Sequence, residues 1–492
     1  MTQEDKKTDR TYLWYDYETF GLEYRKDRPA QFAALRTDAS LRLVGDPIVL
    51  YCRPAIDCLP DPQAVSVTGI LPQECMQKGL AEPEFARRIF NEMSVPGTVH
   101  VGYNSSGFDD HVSRFLYWRN FFDPYAPEKD NGCSFYDLFK LVVAAYALRP
   151  QGIVWPVNEE TGKPSFKLSA LSAANHLKHT HAHDALSDVE ATVELARLIH
   201  EKNPRLFDYA FTNSTKQAVS EITQKGRPVL LTDISIGPED RYTQAYAVIA
   251  QAPGRPSDRI LFNLRYAPEE LLSMDASQAK DALFGKGGPQ RMLKILKTNK
   301  FPFLTTSFGT LGGNAPDILG VDAELAYERE EALRRIAPQM LGIWSEAFAA
   351  KEEENSAQSA PFEVPADEGL YGGGFPSWHD KKLFAEIRGK TPEELTLLAH
   401  DGRLDFDNQA YDDLFFRYRA RNYPETLTKE ETAVWKGTCR ARLIDGAEGA
   451  RTLVRFQQEI EVLADNQEVD DRLENICGGL YEWSDFVSES LE

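Results

Sequence analysis

Asp16 and Glu18 stand two apart in Tyr15-Asp-Tyr-Glu-Thr-Phe-Gly, directly after the apolar run Tyr12-Leu-Trp-Tyr. Residues 11–15 read as a short buried strand. Residues two apart in a strand face the same side, so two carboxylates would share one face at its end. Like charges held together repel and need compensation. Hard divalent cations such as Mg²⁺ favour carboxylate oxygens, and a pair of them can activate a water and stabilise the leaving oxygen of a phosphodiester. An acidic strand end on the surface would show the same two residues.

A second cluster lies in Gly102-Tyr-Asn-Ser-Ser-Gly-Phe-Asp-Asp, between an apolar strand at 99–103 and a helix expected at 108–122. Asn104 suits a turn, Phe108 could pack beneath a site, and Asp109 is the candidate ligand. Helix capping by Asp109 or Asp110 is the alternative. The third cluster, His183-Asp-Ala-Leu-Ser-Asp188, opens a helix expected at 184–200. Asp184 fits the cap, Asp188 lies one turn inside as a metal ligand, and His183 could take a proton from water near neutral pH. His176, His179 and His181 raise a zinc tract as a rival, but they lack an i, i+4 pair beside a matching partner. The order D-x-E, N-x₃-F-D, H-D-A-x-x-D is specific where each cluster alone is not.

These residues need a scaffold. Strands are expected at 30–36 and 47–52, and helices at 135–148 and 168–177. Strands first and then alternating elements imply an α/β domain with a mixed sheet, over 1–203. The stretch 204–355 is expected to be β-rich, with strands at 229–232, 245–250 and 259–263. An irregular linker is expected from Lys351 through Pro361 towards Gly372. From 356 to 492 apolar residues recur at helical spacing, as in Leu453, Phe456, Ile460 and Leu463, and predict an all-α domain.

Composition bounds the partners. Hydrophobic residues make up 42% and charged residues 27%, ordinary for a globular protein. No apolar run is long enough for a membrane span, and residues 1–10 lack the apolar core of a signal peptide, so a cytoplasmic protein is expected. The six cysteines form no C-x-x-C pair, so reduced, buried thiols are expected. The net charge of −21 argues against nucleic acid. A local groove can differ from that average.

The ordered motifs resemble the histidine branch of the DEDD exonuclease superfamily. More closely, residues 15–21, 28–34, 102–110, 146–150, 182–185, 203–209 and 418–427 resemble the bacterial exodeoxyribonuclease I family. The resemblance is dense over the first 210 residues and patchy in the middle. It implies a ribonuclease H-like exonuclease domain, an SH3-like middle domain and a helical C-terminal domain. It further implies 3′-to-5′ digestion of single-stranded DNA to 5′-mononucleotides, in repair and recombination. The cofactor would be two Mg²⁺, with Mn²⁺ as a substitute. Asp16, Glu18, Asp109 and Asp188 would be the acidic quartet and His183 the general base. Glu18 would also meet the terminal nucleotide. Lys167 stands where the family usually has arginine; it keeps the charge and loses the two-pronged phosphate contact.

A single-strand channel wants cations and aromatic faces. Arg114 and Tyr125 match family positions that meet the strand, whereas Tyr117 and Trp118 read as core. Arg149 is expected at a phosphate or a protein partner, with a helix C-terminal cation as the alternative. The implied protein partner is the acidic tail of single-stranded DNA-binding protein, with Arg149 and Tyr209 as candidate contacts, since 309–317 carries no Arg or Lys. A monomer is expected. The same five residues would serve an exoribonuclease, because RNA discrimination rests on 2′-hydroxyl contacts. A non-catalytic DNA-binding protein on this fold would leave the quartet without a use.

Overall fold

The computed structural model describes residues 10–179, 184–224, 226–285, 292–358, 364–371, 374–401, 404–466 and 470–492. These fall into two compact units that ignore chain order. The first takes residues 1–134, 180–190 and 362–492, and the second 135–179 and 191–361.

In the first unit, β1 (Thr11–Thr19), β2 (Pro29–Thr37), β3 (Ile48–Tyr51) and β4 (Thr98–Gly102) run in the sheet order β3-β2-β1-β4. β1 is antiparallel to β2 and parallel to β4, so the sheet is mixed. β1 and β2 are buried along nearly their whole length, which explains their near-continuous apolar runs. Pro29 opens β2, where a missing amide proton costs least. Helices Pro62–Thr68, Glu82–Met93 and Asp109–Arg119 accompany the sheet.

The C-terminal helices Trp378–Arg388, Ala410–Asn422, Lys429–Leu443, Leu453–Asn466 and Asp471–Ser490 belong to the same unit. They share its core. Phe20, Leu59, Val65 and Ile70 cluster with Trp435, Phe456, Ile460, Leu480 and Trp483. Trp118 and Phe121 cluster with Leu383, Phe384, Ile387 and Tyr411. Burying one such side chain stabilises by roughly 1.5–3 kcal/mol, so neither half closes its core without the other.

A buried charge network crosses the same seam. Arg28 bonds Asp367 at 3.0 Å; Arg421 bonds Asp367 at 2.7 Å and Asp57 at 2.8 Å. Arg442 reaches Glu368 at 3.2 Å, and Arg417 reaches Glu448 at 2.6 Å. Burial alone would penalise these charges, yet Arg421 and Arg28, joined by Arg442 at Asp57 and by Arg417 at Asp367, hold both carboxyls below their ordinary range.

In the second unit, β5 (Ser134–Asp137) leads the chain in, and five strands form an antiparallel sheet in the order β10-β6-β7-β8-β9. They are β6 (Val229–Thr232), β7 (Thr243–Gln251), β8 (Asp258–Asn263), β9 (Leu293–Lys297) and β10 (Phe303–Thr305). Helices Ala323–Ile336 and Leu341–Gln358 follow.

Three expectations need correction. Residues 135–148 are not one helix: Phe135 and Tyr136 lie in β5, and Asp137 starts helix Leu138–Leu148 by accepting the Phe139 amide at 3.1 Å. The irregular linker expected from Lys351 is helical through Gln358. Ala, Glu and Lys are strong helix formers, and this turn is tied down by Arg255–Glu352 at 2.7 Å, Lys351–Glu354 at 3.1 Å and Lys280–Glu354 at 3.8 Å. The helix expected at 168–177 ends at Ala174, and His176 takes a left-handed φ of 55°. No described helix is long and apolar enough to cross a membrane.

Candidate metal centre

Asp16 and Glu18 lie beyond the part of β1 that pairs with β4, which stops at Trp14. Their other edge is held by β2, with Asp16 opposite Ala33, Glu18 opposite Gln31 and an irregularity between Glu18 and Thr19. The alternate residues anchor the strand. Tyr15 donates to Asp110 at 2.6 Å, and Ser113 donates to Tyr17 at 3.1 Å. Both bonds join β1 to helix Asp109–Arg119, so the strand that presents the carboxylates is fixed to the helix that begins with Asp109.

The turn that delivers Asp109 depends on backbone shape. A side chain at Gly102 would meet the Ser105 Cβ at 2.4 Å. Asn104 then adopts φ 58°, a left-handed conformation that Asn tolerates better than most residues. Asp109 and Asp110 fall in the first helical turn, where the helix dipole favours negative charge.

Asp188 sits in the first turn of helix Ala185–Lys202. Asp184 caps it, accepting the Ser187 amide at 3.0 Å, and its carbonyl accepts the Asp188 amide at 3.0 Å. Gln31 locks this helix end to the sheet. Its Oε1 accepts the Ala185 amide at 3.3 Å and its Nε2 donates to Tyr51 at 2.9 Å. Gln31 is a positioning residue that the motifs do not reveal, since its role comes from its register opposite Glu18.

Asp16, Glu18 and Asp188 each bring a carboxylate oxygen within 4.8 Å of the others. Burial, and then the charges of Asp109, Glu18 and Asp188, push the Asp16 carboxyl well above the usual range. Burial, followed by Asp188 and Asp109, pushes Glu18 up to about 9. The charges that raise these two groups most, Asp109, Asp184 and Asp188, with Glu18 acting on Asp16, are all carboxylates. Such a set holds protons or a hard divalent cation, and oxygen-only donors fit Mg²⁺ or Mn²⁺ better than a thiophilic metal. His183, with His181, lies outside the described residues.

The strand-binding candidates divide between the units. Arg114 is buried, with its side chain 5% exposed, and its Nε donates to Glu128 at 2.6 Å. Its guanidinium stands 5.1 Å from the Tyr125 ring centre. Tyr125 stacks on Tyr371 with centroids 6.1 Å apart and planes 12° apart. Tyr371 is a further candidate, joined to the site by this stack. Tyr117 and Trp118 are core residues, as their pattern predicts. Lys167, Arg149 and Tyr209 belong to the second unit. Lys167 is exposed and precedes helix Leu168–Ala174. Arg149 donates to the Leu148 and Thr310 carbonyls, each at 2.6 Å, and Tyr209 donates to the Leu304 carbonyl at 2.8 Å.

Comparison with known proteins converges on one family. Family models for an exonuclease, an exonuclease I SH3-like domain and an exonuclease I C-terminal domain match residues 13–196, 214–350 and 365–487. Exodeoxyribonuclease I of Haemophilus influenzae is 36% identical over 472 residues, covering 94% of this chain and 96% of its own. The Escherichia coli protein is 36% identical over 442 residues, 88% of this chain and 89% of its own. A moderately thermophilic exonuclease I from Methylocaldum szegediense superposes with a TM-score of 0.86 at 36% identity, over 97% of this chain and 99% of that one. E. coli exonuclease I in complex with a dA16 oligonucleotide superposes with a TM-score of 0.85 at 33% identity, over 97% and 100%. With all three segments matched and relatives covering nearly its whole length, the chain belongs to the exodeoxyribonuclease I family.

Proposed function

We propose that this exodeoxyribonuclease removes nucleotides from the 3′ end of single-stranded DNA, releasing 5′-mononucleotides with two Mg²⁺ ions. One observation carries the reading: three carboxylates within 4.8 Å, in a buried setting where further carboxylates, Asp109 and Asp184, raise Asp16 and Glu18. Asp16, Glu18, Asp109 and Asp188 would hold the ions. When bound, they supply a nucleophilic water at neutral pH and neutralise charge on the leaving oxygen. The chain does the rest. β1 and helix Asp109–Arg119 keep the carboxylates in register through Tyr15 and Tyr17. His183 takes the proton of the attacking water. Glu18 meets the terminal nucleotide, and Lys167 and Arg149 meet the strand's phosphates. The stack of Arg114, Tyr125 and Tyr371 offers a face for a base, with Arg114 acting through Tyr125.

The complex of E. coli exonuclease I with an oligonucleotide, and the complex of single-stranded DNA-binding protein with exonuclease I, support extending both partners to this chain. We take Tyr209 as a contact for that protein's acidic tail, with Arg149 as the alternative contact there should it not serve a phosphate. We also propose a cytoplasmic monomer acting in repair and recombination, with 1–203, 204–355 and 356–492 as the limits of its three parts. The test compares wild type with Asp188→Ala on a 3′-blocked and a 5′-blocked strand, with and without Mg²⁺. The reading expects Mg²⁺-dependent loss of the 5′-blocked strand alone, and its collapse in the variant. Equal activity in the variant sinks it.

A further inference from the structure

We propose that Asp110 is a positioning residue that sets the distance between the grip on the strand and the carboxylates that hold the metal; this rests on the exonuclease reading above. Asp110 follows Asp109 in the first turn of helix Asp109–Arg119, where an acidic residue ordinarily serves as a cap. No side chain caps this helix, whose N-cap is Phe108. The Asp110 carboxylate turns inward instead, and its side chain is only 4% exposed.

Its two oxygens serve different parts of the site. Oδ1 accepts the Tyr15 hydroxyl at 2.6 Å, and Tyr15 precedes Asp16 on β1. Oδ2 is buried without a hydrogen bond, a costly state for a charged oxygen. His100 lies within reach of this charge but brings none to offset it, because burial holds its imidazole down at about 4. Among the described residues, Arg114 is the cation placed to answer Asp110, with Nη2 4.0 Å from Oδ2, one turn along the same helix. That guanidinium is already shared: Glu128 holds its Nε at 2.6 Å, and the Tyr125 ring centre is 5.1 Å away.

A shift of about 1 Å brings Nη2 into charge-assisted hydrogen-bond range of Oδ2. A base stacked on Tyr125 loads that ring against the guanidinium. Asp110 takes up the movement and passes it to Tyr15, whose backbone runs into Asp16. A neutral amide at 110 keeps an acceptor for Tyr15 and loses the pull on Arg114. Tolerances at a reacting centre are tight, and a misplacement of about 1 Å can slow the reaction about a hundred-fold. A plain brace of the fold has no use for a buried charge with one oxygen left unbonded.

Steady-state digestion of a labelled single strand in Mg²⁺ by the full chain separates kcat from KM. Asp110→Asn and Tyr15→Phe should each lower kcat about ten-fold or more and leave KM for DNA within about two-fold of wild type. Tyr15→Phe leaves every charge in place, so its loss cannot come from a weaker field at the metal centre. The double variant should cost little more than the worse single one, because both changes cut one link. Arg114→Ala should lower kcat as well, and adding Asp110→Asn to it should cost less than about two-fold more. Thermal melts in chelator report folding; should Asp110→Asn not fold, Tyr15→Phe paired with Arg114→Ala carries the same comparison. The inference falls if kcat and KM change in step with lost thermal stability, which marks a brace of the fold. It falls if Tyr15→Phe digests like wild type, or if the losses multiply in the double variants. A wild type that digests no strand removes the exonuclease reading itself, a result distinct from these.

Discussion

Asp57 gives a quantitative handle on the seam between the chain's two ends. Its carboxylate is fully buried and takes three contacts from Arg421, at 2.8, 3.0 and 3.1 Å. Arg442 stands 3.6 Å away. Asp57→Ala strands two guanidiniums whose side chains are only 7% and 2% exposed. Breaking a buried pair typically costs about 3–5 kcal/mol. Arg421 keeps Asp367 and Arg442 keeps Glu368, which points to the lower end, about 3 kcal/mol. At about 2–4 °C per kcal/mol for a large domain, the first unit should melt about 6–12 °C lower.

The sign with pH follows from the direction of the shift. The folded-state pKa of Asp57 is depressed below 3.8, so its stabilisation is complete above that value and fades as pH falls through the folded pKa. The gap between wild type and variant should be constant from pH 7 to about 4, then narrow. Thermal unfolding of the full chain followed by calorimetry, at pH 7 and near pH 3, measures both. A loss below about 1 kcal/mol, or a gap as wide in acid as at neutrality, would refute the reasoning.

Other outcomes are direct. Asp188→Ala should lower Mg²⁺-dependent digestion at least about a hundred-fold while leaving thermal stability equal or higher in chelator, because it removes one of several crowded carboxylates; circular dichroism melts check the second part. Added Mg²⁺ should raise the melting temperature of wild type more than that of the variant, since a ligand that binds only the folded state stabilises it. Lys167→Arg should tighten single-strand binding several-fold by regaining a two-pronged phosphate contact, measured by anisotropy at fixed salt. Labelled DNA and RNA of one sequence, digested side by side, should lose the DNA faster; faster loss of RNA would make the chain an exoribonuclease.

The clustering of Asp16, Glu18 and Asp188 is legible because each sits near a strand end or a helix start, where local pattern is strong. Positioning by Gln31 is not legible, because it arises from cross-strand register with Glu18. Arg114 reads as a strand-facing cation, yet its partner Glu128 comes from a later turn, and burial directs it to Tyr125. β9 reads Leu-Lys-Ile-Leu-Lys, with no clean alternation, and pairing with β8 makes it a strand. The spacing of Phe456 and Ile460 predicts a helix without revealing that its apolar side meets Phe20 and Leu59. Helix Leu341–Gln358 shows the converse error: a polar stretch reads as a linker until distant Arg255 and Lys280 fix it.

The shared core of the first unit also sets the order in which the enzyme can come into being. Arg28 and Asp57 leave the ribosome early, while Asp367, Arg421 and Arg442 arrive only after the 171-odd residues of the second unit's long segment, 191–361, have been made. At about 5–20 residues per second, the unfinished nuclease half waits roughly ten seconds or more with its charges unmatched and its apolar face open. A chain stopped before residue 362 is therefore expected to lack a closed core around its carboxylates.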